Sequence, residues 1–360
     1  MRPAWDILKS WEWNYSNGPL FEWTEEAKAL REEVKDELRE EFLGFKLNST
    51  IGTAAGPILN SNWIKLYSEL GFDILTQKTV RSRPVPAYKE PNIVFVHPKK
   101  QLENNDFGAT LTGDFNPEPV ENISITNSFG MGSFGPEVWM KDVKKAKSFL
   151  KKGQLLNVSV VGTVGKDASL EELADDYAET ALMAKKAGAD LIETNFSCPN
   201  VETKDSLICF DPKASSFVAE KVRDKIGETK YLIKLGYYDN DKIVRSLIKE
   251  TAHLVDGYVA INTIKMRVAN AEGKEIMPGR FDSGICGSAI KKKGLETAER
   301  FVRIRKELKE DFAFVGVGGI MSPNDAKDYY DLGVNAIQTG TIPIFDPLFA
   351  LKAKKFLYGD

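Results

Sequence analysis

Residues 189–197 read ADLIETNFS. Leu191 and Ile192 open an apolar run of strand length that ends on Asn195 and Ser197, with Cys198, Pro199 and Asn200 following. A buried strand needs no amides, hydroxyl or thiol for packing, whereas a loop that carries chemistry does. Seven further runs are built alike: STIGTAAG (49–56), FDILTQKT (72–79), LLNVSVVG (155–162), YLIKLG (231–236), DGYVAINTI (256–264), FAFVGVGGI (312–320) and NAIQTGT (335–341). Near-continuous apolar runs mark parallel strands buried on both faces. Amphipathic segments such as SLEELADDYAETALMAKKAGA and GLETAERFVRIRKELKE alternate with them, bounded by Gly or polar residues. The pattern predicts an α/β fold, a closed (β/α)₈ barrel of the TIM type, in preference to a doubly wound open sheet. Glycines and polar residues gather at the C-terminal ends of nearly every strand, where such barrels build their sites.

Composition narrows the function. A net charge of −3 over 360 residues argues against phosphate-backbone recognition, which calls for a basic excess. No run of 18 apolar residues predicts a membrane span, and no hydrophobic leader is evident. Three cysteines are too few for a disulfide framework. A soluble, reduced, cytoplasmic protein is expected. The two histidines, His97 and His253, have no Cys or His at metal-ligand spacing, so no metal site is expected and acid–base work falls to other residues.

Two segments stand outside the barrel pattern. Residues 1–45 carry scattered aromatics (Trp5, Trp11, Trp13, Tyr15, Phe21, Trp23) and a charged helix candidate, TEEAKALREEVKDELREEF. They are expected to form an arm across the barrel, residues 46–360, or across a partner subunit. Residues 81–126 form a long excursion after the second strand, expected to be a hairpin-bearing extension over the barrel mouth.

Three sets of residues are suited to chemistry. Gly318 and Gly319, Gly340 and Thr341, and Ser283 with Gly284 are small residues at late strand ends, where backbone N–H groups cradle phosphates. Lys78 and Lys234 interrupt apolar strands. A buried lysine must find a partner, either a carboxylate such as Glu193 or an electron-rich cofactor. Asn127, Asn195, Asn200 and Asn262 fall at strand ends or mouth loops. Together they suit a flat molecule that alternates N–H and C=O, as a pyrimidine does, although a single Asn more often caps a turn.

With these residues in view, NFSCPNV, SFGMG after Asn127, the strand-borne Lys78 and Lys234, INT, GVGGI and IQTGT resemble the FMN-dependent dihydroorotate dehydrogenases over residues 48–355. The resemblance implies an FMN-binding barrel that oxidises dihydroorotate to orotate in pyrimidine synthesis. It implies that Cys198 removes the C5 proton while the C6 hydrogen leaves as hydride to FMN. It assigns Asn127, Asn195, Asn200 and Asn262 to the substrate, with Gly130 and Met131 near its carboxylate. Lys78 and Lys234 would face the flavin, Lys78 with a catalytic role, Ala54, Ala55 and Gly56 would lie beside its ring, and Thr79, Ser159 and Thr263 would stand in the same neighbourhood, Thr263 also touching the substrate. Ser283, Gly284, Gly318, Gly319, Gly340 and Thr341 would hold the phosphate.

Cys at the base position is similar to the soluble class 1 enzymes, whereas the membrane-associated class 2 enzymes use Ser. A single-subunit homodimer is expected, with the electron acceptor left open. Ser283-Gly284 replaces the family's usual Gly-Gly, Cys286 replaces a small residue, and residues 1–45 and 81–126 exceed the compact pattern. A uracil- or thymine-reducing dihydropyrimidine dehydrogenase is the alternative, and a non-catalytic barrel that binds a partner is a remote one. The tRNA dihydrouridine synthases would need a basic surface that is missing here.

Overall fold

A computed structural model describes residues 3–165, 167–197 and 208–359. Eight parallel strands close into a barrel: β1 (Ile51–Thr53), β2 (Ile74–Val80), β3 (Leu155–Val160), β4 (Leu191–Asn195), β5 (Lys230–Lys234), β6 (Gly257–Ala260), β7 (Ala313–Val317) and β8 (Ala336–Thr339). Spatial order follows chain order, and β8 returns to β1 through Ile337↔Ile51 and Thr339↔Thr53. Each of the eight apolar runs read from the sequence supplies one strand. Helices return the chain between them with local stop and start signals. Leu170–Ala187 opens on a capping box between Ser169 and Glu172 and ends at Gly188, whose φ of 104° suits glycine.

The two ends of the barrel are closed differently. At the N-terminal end a hairpin, Glu40–Phe42 with Phe45–Leu47, inserts Phe42 and Leu47 among Ile74, Leu155, Leu191 and Leu232, near the starts of the strands. Its turn places Leu43 and Gly44 at positive φ. This corrects the helix expected over TEEAKALREEVKDELREEF. The helix spans only Glu25–Glu33, because the acidic and basic run after Val34 offers no apolar stripe and Phe42 is buried better as a strand residue.

At the C-terminal end a second, five-stranded barrel covers part of the mouth. It contains Ile93–Val96, Thr110–Asp114 and Ser124–Asn127 from the 81–126 excursion. Its other two strands, Ile264–Ala269 and Asp282–Gly287, come from the β6–β7 connection. The signal for the first was present in IKMRVA, where Ile264, Met266 and Val268 are buried and Lys265 and Arg267 exposed, a period of two. Among the described residues no helix is long and apolar enough to cross a membrane.

Beneath the barrel, Lys354 of the helix Phe349–Tyr358 reaches the wholly buried Asp73, with Nζ and Oδ2 2.7 Å apart. Burial pushes the Asp73 carboxyl up; the Lys354 ammonium and hydrogen bonds from Ser49 and Asn48 oppose this. Removing one member of a buried pair strands the other charge. Lys354→Met is therefore expected to lower unfolding free energy by about 3–5 kcal/mol, read from urea denaturation. A loss below about 1 kcal/mol, the scale of a surface pair, would contradict this account.

Candidate active site

A cavity of about 1070 Å³, counted out to its open mouth, lies where the barrel strands end and the second sheet begins. Lys78 and Lys234 line it from β2 and β5. Lys78 Nζ stands 5.7 Å from the centroid of Phe129. Lys234 Nζ lies 4.0 Å from Glu193 Oε1, so the carboxylate partner considered from the sequence is present and the lysine also faces the cavity.

Glu193 is wholly buried inside the barrel. Its Oε2 accepts from Asn157 Nδ2 and Gln338 Nε2, both at 3.1 Å. The same two amides donate to Thr76 Oγ1, at 3.1 and 3.2 Å. β2, β3, β4 and β8 thus share one polar ring below the cavity floor. Among the described residues, Glu193 Oε1, Gln338 Oε1 and Thr263 Oγ1 have no hydrogen-bond partner, and Gln338 and Thr263 line the cavity.

Asn127, Asn195 and Asn262 line the cavity. Asn127 Nδ2 lies 3.5 Å from Cys286 Sγ. Asn195 Nδ2 lies 3.6 Å from Met131 Sδ, and its Oδ1 accepts from Asn262 Nδ2 at 3.3 Å and from the Ser197 N–H at 3.2 Å. Gly130 and Met131 both take positive φ, 67° and 50°, in the turn that brings them to the cavity. Cys198 and Asn200 lie outside the described residues.

Ala54, Ala55, Gly56, Thr79, Gly318, Gly319, Gly340 and Thr341 also line the cavity. Ser159 stands behind it, its hydroxyl 3.0 Å from that of Thr79. Gly319, at φ 67°, admits no side chain, since a Cβ there would lie 2.4 Å from the Lys291 backbone. Gly319, Gly340 and Thr341 stand just past the ends of β7 and β8. Ser283 and Gly284 are placed differently from the expectation. They pair with Met266 and Lys265 in the mouth sheet and do not line the cavity, whereas Cys286 and Gly287 on the same strand do. Pairing with the unforeseen strand 264–269 turns them away.

Other residues were missed, among them Gln338, Trp5 and Arg81. Trp5 lines the cavity from the N-terminal arm, and no local motif announces it. Arg81, three residues beyond Lys78, is buried and donates from Nε to the Met131 carbonyl at 2.9 Å and from Nη1 to Thr163 Oγ1 at 3.1 Å. It fixes the turn that carries Gly130 and Met131. A charged residue just past a strand-borne lysine was the available signal.

Residues 109–355 match the family model described as dihydroorotate dehydrogenase. A protein from Dictyostelium discoideum named dihydroorotate dehydrogenase is 35% identical over 98% of this chain and 96% of its own length. This chain belongs to the dihydroorotate dehydrogenase family. A more distant member, from Methanocaldococcus jannaschii, is named dihydroorotate dehydrogenase B (NAD(+)), catalytic subunit. It is 26% identical over 84% of this chain and 86% of its own length. The ligand-free crystal structure of the Eimeria tenella dihydroorotate dehydrogenase superposes with a TM-score of 0.72, covering 97% of this chain and 92% of that one at 17% identity. At that identity the superposition speaks for the fold. The barrel is the family's, and the residues above are this chain's own version of its mouth.

Cys286 is the thiol of the cavity among the described residues. Burial pushes it up to about 11, against opposing hydrogen bonds from Thr341 and Asn127 and the charge of Lys234. Only the thiolate is a good nucleophile. In a Cys198→Ser background, iodoacetamide labelling of Cys286, located by peptide mapping, is expected to rise about tenfold per pH unit between roughly pH 7 and 10. A flat profile over that range would contradict the assigned environment.

Proposed function

We propose that this chain is an FMN-dependent enzyme that oxidises (S)-dihydroorotate to orotate, the pyrimidine-forming step of de novo pyrimidine biosynthesis. The observation that carries the reading is the meeting of Lys78, Lys234, Asn127, Asn195 and Asn262 on one cavity with unsatisfied buried polar atoms in its lining. Buried polar atoms without partners are costly unless a ligand supplies them.

The donor set fits FMN. Its ring system alternates N–H and C=O at one edge, which suits Gln338 Oε1, Thr263 Oγ1 and the two ammonium groups. Its phosphate suits backbone N–H groups such as those of Gly319, Gly340 and Thr341, with a side chain excluded at Gly319. When bound, FMN supplies the acceptor for the hydride that leaves C6 of the substrate.

In this reading the protein's own residues have three tasks. Asn127, Asn195, Asn200 and Asn262 grip the amide and carbonyl edge of the dihydropyrimidine ring, and the Gly130–Met131 turn, braced by Arg81, receives its carboxylate. Lys78 and Lys234 bring positive charge to a cavity that must hold anionic groups. Cys198 removes the C5 proton. A thiol ionises at far lower pH than a serine hydroxyl, so far more of the base form is present at neutral pH, and positive charge favours the thiolate.

Anaerobic titration of the flavin-loaded protein tests the reading. Dihydroorotate is expected to bleach the visible flavin absorbance and dihydrouracil to leave it intact. Cys198→Ser is expected to slow the bleaching by about 10²–10⁴-fold at neutral pH. Bleaching by dihydrouracil alone would move the substrate to the uracil class, and an unchanged rate in Cys198→Ser would remove the thiol as base.

A further inference from the structure

We infer that Trp5, on the N-terminal arm, is a binding residue of the cavity: the arm clamps the loops after β8 and β1 together and supplies an aromatic wall for the bound ring system.

Trp5 is almost wholly buried, yet it lines the cavity, as do Phe129 and Ile344. Nε1 donates to the Pro57 carbonyl at 3.0 Å, immediately past the Ala54–Gly56 loop that follows β1. One residue earlier, the Ala4 N–H donates to the Ile344 carbonyl at 2.7 Å, in the short helix that follows Gly340 and Thr341 after β8. The chain then turns back, and the Leu20 N–H donates to Ala4 O at 2.8 Å. Two adjacent residues of the arm therefore tie together the two loops that flank the β8–β1 seam.

The indole also sets the position of a second ring. Trp5 lies 5.3 Å from Trp63 and 5.4 Å from Phe129, centroid to centroid, both tilted. Phe129 in turn receives the Lys78 ammonium over its face. Aromatic pairs of this spacing hold their partners at defined angles. A change at Trp5 thus reaches the alanine-glycine loop, the Phe129 ring and the Lys78 charge together. An arm needed only to cover the barrel could bury its tryptophans elsewhere, as Trp11 does against Tyr15 and Phe134 away from the cavity lining.

This inference rests on the flavin reading for the identity of the ligand. The test uses the full chain stripped of flavin and titrated with FMN, following quenching of FMN fluorescence, in wild type, Trp5→Phe, Trp5→Ala and Trp11→Ala. Thermal melting of each apoprotein reports folding separately. Trp5→Ala is expected to weaken FMN binding by at least about tenfold and Trp5→Phe to restore most of it. Trp11→Ala is expected to lower the melting temperature while leaving FMN affinity within about twofold of wild type. Unchanged affinity in Trp5→Ala overturns the inference while the flavin reading stands. Equal weakening in Trp11→Ala also overturns it, because the arm then acts only through its docking. A wild-type chain that does not bind FMN removes the flavin reading and this inference together.

Discussion

A carboxylate sealed inside a closed barrel organises this molecule. Glu193 is wholly buried, and an unpaired ion in such a place would cost several kcal/mol. The cost is met by Asn157, Gln338 and Lys234, each delivered by a different strand, with Thr76 joining the two amides. Parallel strands alternate their side chains inward and outward, so a one-residue slip of β3 or β8 would take an amide out of this ring. The polar ring thereby sets the register of the barrel and, one layer higher, the positions of Lys234 and Asn195 at the cavity.

The rest of the chain divides along the barrel axis. Below the ring, the 40–47 hairpin and the Asp73–Lys354 pair close the barrel with contacts that serve stability. Above it, the second sheet, the Arg81-braced turn and the arm with Trp5 build walls around a concave site. This is the division expected of barrels whose chemistry lies at the C-terminal ends of the strands. The mouth walls come from widely separated segments, so the site is completed only when the arm, the 81–127 region and the 264–287 region have all docked.

What could be read in advance follows from how local each signal is. The eight strands were legible because burial on both faces writes itself into consecutive residues, as in Leu155–Val160. Lys78, Lys234 and the amides were legible because charge or hydrogen-bonding capacity at an apolar strand end has few structural uses. The placement of Ser283 and Gly284 was not, because it depends on pairing with Met266 and Lys265, and the alternation in IKMRVA was absorbed into the preceding strand. Trp5 was read as part of an arm, but nothing in its neighbours reports that Pro57 and Ile344 await it. The charged segment after Val34 looked helical by composition, and only the need to fill the barrel's lower end with Phe42 makes it a hairpin.

The claim on which the account depends is that this polar-floored, glycine-rimmed cavity holds one flavin mononucleotide. The most direct measurement is the visible spectrum of the purified chain, followed by denaturation and chromatographic identification of what it releases. A yellow protein is expected, one that releases FMN in a one-to-one ratio with the chain and retakes it in preference to riboflavin, which lacks the phosphate. A colourless protein that does not take up FMN, or one that retains riboflavin equally well, would contradict it.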